Sequence, residues 1–314
     1  MDTLELEFLK NNNMTFQSVI AKGGFGTIYL VFSLQYQQFF ALKKIPENRF
    51  NKAEVDCLME IDHPNIISLY KYYKFQEYIY LLMEYCPYDL ETLLKKESEI
   101  CEDQLKRYCY GILQGIKACH DRKISHSDIK PSNFLIDKYG RIKVCDFGLS
   151  VMHFNCTDCH SFRGTIYFMA PEILCKKGYD SIKADIWSLG ITFFYMATQT
   201  FPFNGDDRKD IIKEVTTGMY PIFKVESPSL RQVITSCLQI DPNTRPTVDE
   251  LLNMPFFESI KRNHPQRGNI SMAHSLNQLN YKPLIYGCTS RLDRASLNPM
   301  HRIITKPRVS DKKK

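Results

Sequence analysis

No apolar run in this sequence reaches the ~18 residues expected of a membrane-crossing helix. The nearest candidate, Ile191 to Ala197, is far too short and reads as part of a buried helix. The start, M-D-T-L-E-L-E-F-L-K, lacks the basic residues and apolar run of a secretory signal. Eleven cysteines are present, but without framework spacing, and there are no internal repeats. A chain without an export signal keeps its thiols reduced, so the expected location is intracellular: cytoplasm, with the nucleus as the alternative. What remains is an ordinary soluble composition, 44% hydrophobic and 24% charged over 314 residues, with ample length for a core.

The charge is uneven. From Ser259 to Lys314 twelve Lys/Arg stand against Asp293 and Asp311, so this tail carries +10; with +6 overall, the rest of the chain is left at −4. Residues 261–314 read as a basic, disordered tail able to attract acidic partners, with no specific nucleic acid expected. Arg291-L-D-Arg294-A-Ser296 is a short basic motif for phosphorylation within it.

The stretch from Ile124 to Gly148 organises the rest. Apolar runs Phe134-Leu135-Ile136 and Ile142-Lys143-Val144 flank a turn at Tyr139-Gly140, which predicts a hairpin. It would return Asp146 to the neighbourhood of Asn133, where a carboxylate and an amide oxygen suit a hard cation such as magnesium. Asp128 is left to accept a proton from an attacking hydroxyl. Upstream, Gly23 and Gly26 sit between two strand-like runs, with no helix after them, which suggests a hairpin folded over phosphates. Downstream, Leu105, Tyr108, Cys109, Ile112, Leu113 and Ile116 make one helical stripe ending near His120-Asp121.

Together these stretches resemble the eukaryotic protein kinases of serine/threonine type, with calcium/calmodulin-type and NIMA-related kinases both compatible. The resemblance implies an α+β, two-lobed fold over residues 14–260, with a small antiparallel β lobe (14–83) and a larger helical lobe (84–260). It implies ATP as co-substrate, magnesium, protein Ser/Thr substrates and a monomer. By resemblance the glycine loop and adenine pocket comprise Ala21, Gly23, Gly26, Ile28, Ala41, Met83, Glu84, Cys86 and Leu135, with Asp89 as a ribose partner. Lys43 would grip phosphates, held by Glu54. Asp128, Lys130 and Thr165 would act at the phosphoacceptor, and Asn133 and Asp146 would hold metal. Asp185 would brace the catalytic loop at the opening of an apolar helix, and Glu172 would pair with Arg245.

Four departures stand out. Ala21 replaces the first loop glycine, only ten residues separate Lys43 from Glu54, Ser132 replaces a common glutamate, and Ser127 stands where the family has arginine. That arginine normally binds an activation-loop phosphate, so Ser127 implies activity independent of such phosphorylation. The alternative is a pseudokinase scaffold that binds ATP or partners without turnover. In His153-F-N-Cys156-T-D-Cys159-His160, zinc ligation and a Cys156–Cys159 redox pair stay open beside a plain loop.

Overall fold

The computed structural model describes residues 1–263 apart from 24–25, 51, 98–99, 148–150, 153–165, 176–177 and 206. Residues 264–314 of the basic tail, Thr165 and the His153–His160 cluster therefore lie outside the described residues. The chain forms two compact units.

The first contains Met1–Phe50 and Ser68–Tyr85. Helix α1 (Thr3–Asn11) precedes an antiparallel sheet of β1 (Met14–Gly23), β2 (Gly26–Ser33), β3 (Gln38–Pro46), β4 (Leu69–Phe75) and β5 (Tyr78–Glu84), ordered β1-β2-β3-β5-β4. Because strand side chains alternate between faces, one face of the sheet carries Tyr29, Val31, Phe40, Leu42, Tyr80 and Leu82. These close into a core with Phe8 and Leu9 of α1. The opposite face carries the register row Ala21, Ile28, Lys43, Leu81 and, beside it, Ala41 opposite Met83. The predicted nucleotide face is thus one side of the sheet, and α1 lies on the other.

A buried charge sits within the α1 side. Asp2 caps the helix, taking the Glu5 N–H at 2.8 Å while its own N–H donates to Glu5 Oε2 at 2.9 Å. Glu5, 3% exposed, points inward. Its Oε1 accepts from Tyr80 Oη at 2.7 Å and from Lys44 Nζ. Burial pushes the Glu5 carboxyl up, but the bonds from Lys44 and Tyr80 outweigh it and hold it below the ordinary carboxylate value. A carboxyl held low by folding contributes stability above its unfolded value and loses it as pH falls through its folded value. Urea melts at pH 7 and pH 3 should therefore show a larger acid loss for wild type than for Glu5→Gln. Equal losses would remove Glu5 from the acid response.

The second unit is mainly helical and includes residues 52–67 and 86–263. It begins with α2 (Lys52–Glu60), which stops short of Pro64. Strand β6 (Tyr88–Asp89) and helix α3 (Leu90–Lys96) lead to α4 (Glu102–His120), whose predicted stripe is buried and whose first turn carries Glu102 and Asp103. Strand β7 (Ile124–Ser125) follows, then the expected hairpin of β8 (Phe134–Ile136) and β9 (Ile142–Val144), its turn set by Gly140 at φ 79°. Val144 also bonds back to Asn65 and Ile67, tying the hairpin to the segment after α2. After β10 (Val151–Met152), which pairs with β7, come α5 (Pro171–Leu174), α6 (Ser181–Thr198) and α7 (Arg208–Thr217). Helices α8 (Pro228–Cys237), α9 (Val248–Leu252) and α10 (Glu258–Asn263) complete the unit. Among the described residues no helix is long and apolar enough to cross a membrane.

Helix α6 corrects one expectation. It opens at Ser181, not at Asp185, because Asp180 caps it by accepting the N–H groups of Ile182 and Lys183. Asp185 thus projects from an already formed first turn, which fixes its direction.

Candidate active site

The catalytic loop is built backward from Asp185, which is 2% exposed. Its Oδ2 accepts the His126 N–H at 2.7 Å and its Oδ1 the Ser127 N–H at 2.9 Å, while His120 Nε2 lies 2.9 Å from Oδ2. The brace expected of Asp185 is present. His126 is fully buried, and the Asp128 N–H donates to its Nδ1 at 3.3 Å. Nδ1 is then the acceptor, so the ring proton sits on Nε2 and is donated to Cys145 O at 2.9 Å. One imidazole joins the loop to the strand end that carries Asp146.

At Asp128 the geometry becomes chemical. Lys130 Nζ lies 2.9 Å from Asp128 Oδ2, and Asn133 Nδ2 donates to Asp128 Oδ2 at 2.9 Å and to Asp128 O at 2.7 Å. Among the described contacts both side-chain partners fall on Oδ2 and none on Oδ1. Asn133 spends its amide protons on Asp128, which makes its Oδ1 the atom available to a cation. The Cys145 N–H donates to Asn133 O at 3.0 Å, so the hairpin returns the chain, as expected, to deliver half-buried Asp146 next to Asn133. Asp146 at φ 62° and Ser127 at φ 64° are both left-handed, a backbone that non-glycine residues adopt at a cost. An amide oxygen and a carboxylate are the kind of ligands that magnesium takes, with most of its shell left to phosphate and water. Among the described residues no group of three or more His, Cys, Asp or Glu gathers to hold a metal.

Where an arginine is usual, Ser127 joins a hydroxyl chain. Ser181 Oγ donates to Ser125 Oγ at 2.7 Å, and Ser125 Oγ lies 3.1 Å from Ser127 Oγ. Ser125 and Ser181 are buried. No sequence motif signalled this chain, because its members are common residues from separate segments.

The remaining predicted residues fall into the two units. In the first, Lys43 is buried at 9% exposure on β3. Gly26 has φ 131°, and a Cβ there would meet Lys44 O at 2.1 Å, so only glycine fits; a Cβ at Gly23 meets nothing within 4 Å. The Glu84 N–H donates to Ser68 O at 2.9 Å. In the second, Cys86 is half-buried, and Asp89 on β6 is the register partner of Leu135 on β8. Asp89 has a structural task that the sequence did not reveal: its Oδ1 caps α3 through the Thr92 N–H at 2.7 Å. Glu54 lies on α2, and its side chain is not among those described.

A β unit with one face of small and apolar residues around a buried lysine, and a helical unit with a braced Asp-Lys-Asn loop, are the two lobes of a protein kinase. The family model described as "Protein kinase domain" matches residues 14–257, and the chain belongs to that family. It is 31% identical over 251 residues to a putative sperm motility kinase W of Mus musculus, covering 78% of this chain and 50% of the relative. It is 31% identical over 255 residues to CBL-interacting serine/threonine-protein kinase 14 of Arabidopsis thaliana, covering 76% and 57%. Similarity to sperm motility kinase 3A of Mus musculus is 32% over 242 residues, covering 76% and 48%. The chain spans about half the length of these relatives.

Proposed function

We propose that this chain is an ATP-dependent serine/threonine protein kinase whose activity does not require phosphate on its activation segment. The observation carrying the proposal is Asp128, with Lys130 and Asn133 both on Oδ2 and Oδ1 left open. In this reading Oδ1 accepts the proton of a substrate Ser or Thr hydroxyl as it attacks the γ-phosphorus. Lys130 neutralises charge on the migrating phosphoryl, and Lys43, with Glu54, orients the α- and β-phosphates. Asn133 and Asp146 would hold magnesium, which neutralises the phosphate oxygens when bound. Ile28, Ala41, Met83 and Leu135 would enclose adenine, and Thr165 would approach Asp128. The kinase domain is taken as 14–260. The serine/threonine class is supported by K-P-S-N after Asp128 and by the name of the Arabidopsis thaliana relative.

Independence from activation-segment phosphate is supported by what holds the loop. Both backbone N–H groups at 126 and 127 end on Asp185, and the Ser127 side chain meets Ser125 instead of reaching outward for a phosphate. The test is magnesium-dependent transfer of labelled phosphate from ATP to a generic basic protein, before and after phosphatase treatment of the enzyme. The expected product is phosphoserine or phosphothreonine, with treated enzyme within about twofold of untreated, since no charge-assisted contact of order 1–3 kcal/mol is lost. Activity abolished by phosphatase would refute the independence alone. Mg-ATP binding without transfer across a broad peptide panel would favour the scaffold reading.

A further inference from the structure

Helix α1 lies before the residues matched by the kinase family and nevertheless supplies Phe8 and Leu9 to the core of the β unit. Its single inward charge, Glu5, is placed with care. The two groups donating to Glu5 Oε1, Lys44 and Tyr80, are direct register partners on β3 and β5. The next pair along the same two strands is Lys43 opposite Leu81, facing the other way. The Lys44 carbonyl is the group against which Gly26 closes, at the base of the glycine hairpin. Lys44 Nζ also sits 3.7 Å from the centre of the Tyr78 ring, so its side chain is held on two sides.

We propose that Glu5 is a positioning residue for ATP: from behind the sheet it locks the Lys44–Tyr80 pair, and so fixes the strands that present Lys43 and Gly26 on the nucleotide face. This rests on the ATP reading given above. A buried carboxylate that serves only to anchor α1 could bond to any donor on the sheet. This one grips one of the two cross-strand pairs that flank Lys43–Leu81, the other being the apolar Leu42–Leu82. Neighbouring side chains on a strand share one backbone, so a shift of Lys44 toward or away from α1 moves the root of Lys43 with it. Apolar residues could hold the helix in place, but two charge-assisted bonds to fixed atoms set the height and tilt of the strand as well.

The test uses the full chain. In Glu5→Gln the shape is kept and the charge removed; in Tyr80→Phe one donor is removed and the ring stays in the core. The KM for ATP, kcat and the Mg-ATP dissociation constant are measured well below the melting temperature of each variant. Expected is a rise in KM and Kd for ATP of about three- to tenfold in both variants with kcat little changed, the size typical of coupling through a contiguous network. Leu6→Ala, on the exposed side of α1, should leave all three unchanged. A lower melting temperature with unmoved ATP constants in both variants would reduce Glu5 to an anchor and overturn the inference. Wild-type protein that binds no Mg-ATP would overturn the ATP reading itself, an outcome distinct from wild-type binding left intact in both variants.

Discussion

Asp128→Asn is expected to lower phosphoryl transfer by about 10²- to 10⁴-fold, the usual share of a positioned general base. Asparagine keeps the size of aspartate, and its amide oxygen can still accept from Lys130 and Asn133, which occupy Oδ2 in the native loop. What it cannot do is take a proton at the position of Oδ1. The loss should therefore appear in kcat, while the KM for ATP stays within about twofold, because the nucleotide residues are untouched. Single-turnover transfer with the variant and wild type side by side measures this directly. Transfer retained at wild-type rate would remove Asp128 from the chemistry and with it the proposed mechanism.

The second large effect concerns stability. Arg245 is fully buried, and its Nη1 and Nη2 donate to Glu172 Oε1 and Oε2 at 2.6 and 2.8 Å. The rest of its guanidinium is used too: Nε donates to Gln239 O at 2.8 Å, Nη1 to Lys183 O at 3.0 Å, and the plane lies 5.2 Å from the Trp187 ring centre. Glu172→Ala removes the counter-charge and leaves the cation with no route to water. The expected cost is about 3–5 kcal/mol, a large part of the stability of a typical domain. A urea denaturation series should show the midpoint falling accordingly. Replacing both partners by apolar residues, Glu172→Leu with Arg245→Met, should recover much of the loss, since a well-packed apolar pair costs no desolvation. A single-variant loss below about 1 kcal/mol would mean that water reaches Arg245.

Much of this was legible because chemistry and local structure coincide in the sequence. The β8–β9 hairpin follows from its alternating runs and Gly140, and α4 from a stripe at helical spacing. Asp128, Lys130 and Asn133 lie within six residues, so a short loop brings them together whatever the remainder does. Helix α1 was not legible, for the opposite reason. Its apolar spacing is broken: Phe8 and Leu9 face the core, but Leu4 and Leu6 are exposed at 54% and 46% and the remaining inward residue is Glu5. A reading of apolar spacing finds no inward face there. The available signal was the Asp2-x-x-Glu5 capping box, a local pattern that says where a helix starts but not that it joins a core. The start of α6 was misplaced for a related reason. Its cap, Asp180, precedes the apolar stretch by several polar residues, and apolar content alone dates the helix from its middle. The bracing role of Asp185 and the Glu172–Arg245 pair came from resemblance, and the hydroxyl chain through Ser181, Ser125 and Ser127 depended on tertiary contacts that no spacing encodes.

The adjacent lysines on β3 have a consequence for strand alignment. A slip of one residue turns every side chain of a strand to the opposite face. In most strands such a slip would be punished by a misplaced charge. Here it would bring Lys43 to the side of Glu5 and Lys44 to the opposite side, so each face would still carry a lysine, although only one of the two could land on a native lysine position. The face on which each charge lies therefore does not by itself choose the alignment of β3. The choice falls to bulk: Phe40 and Leu42 fill the α1 core, Ala41 is small enough for the opposite face, and Gly26 alone can close against the carbonyl of Lys44.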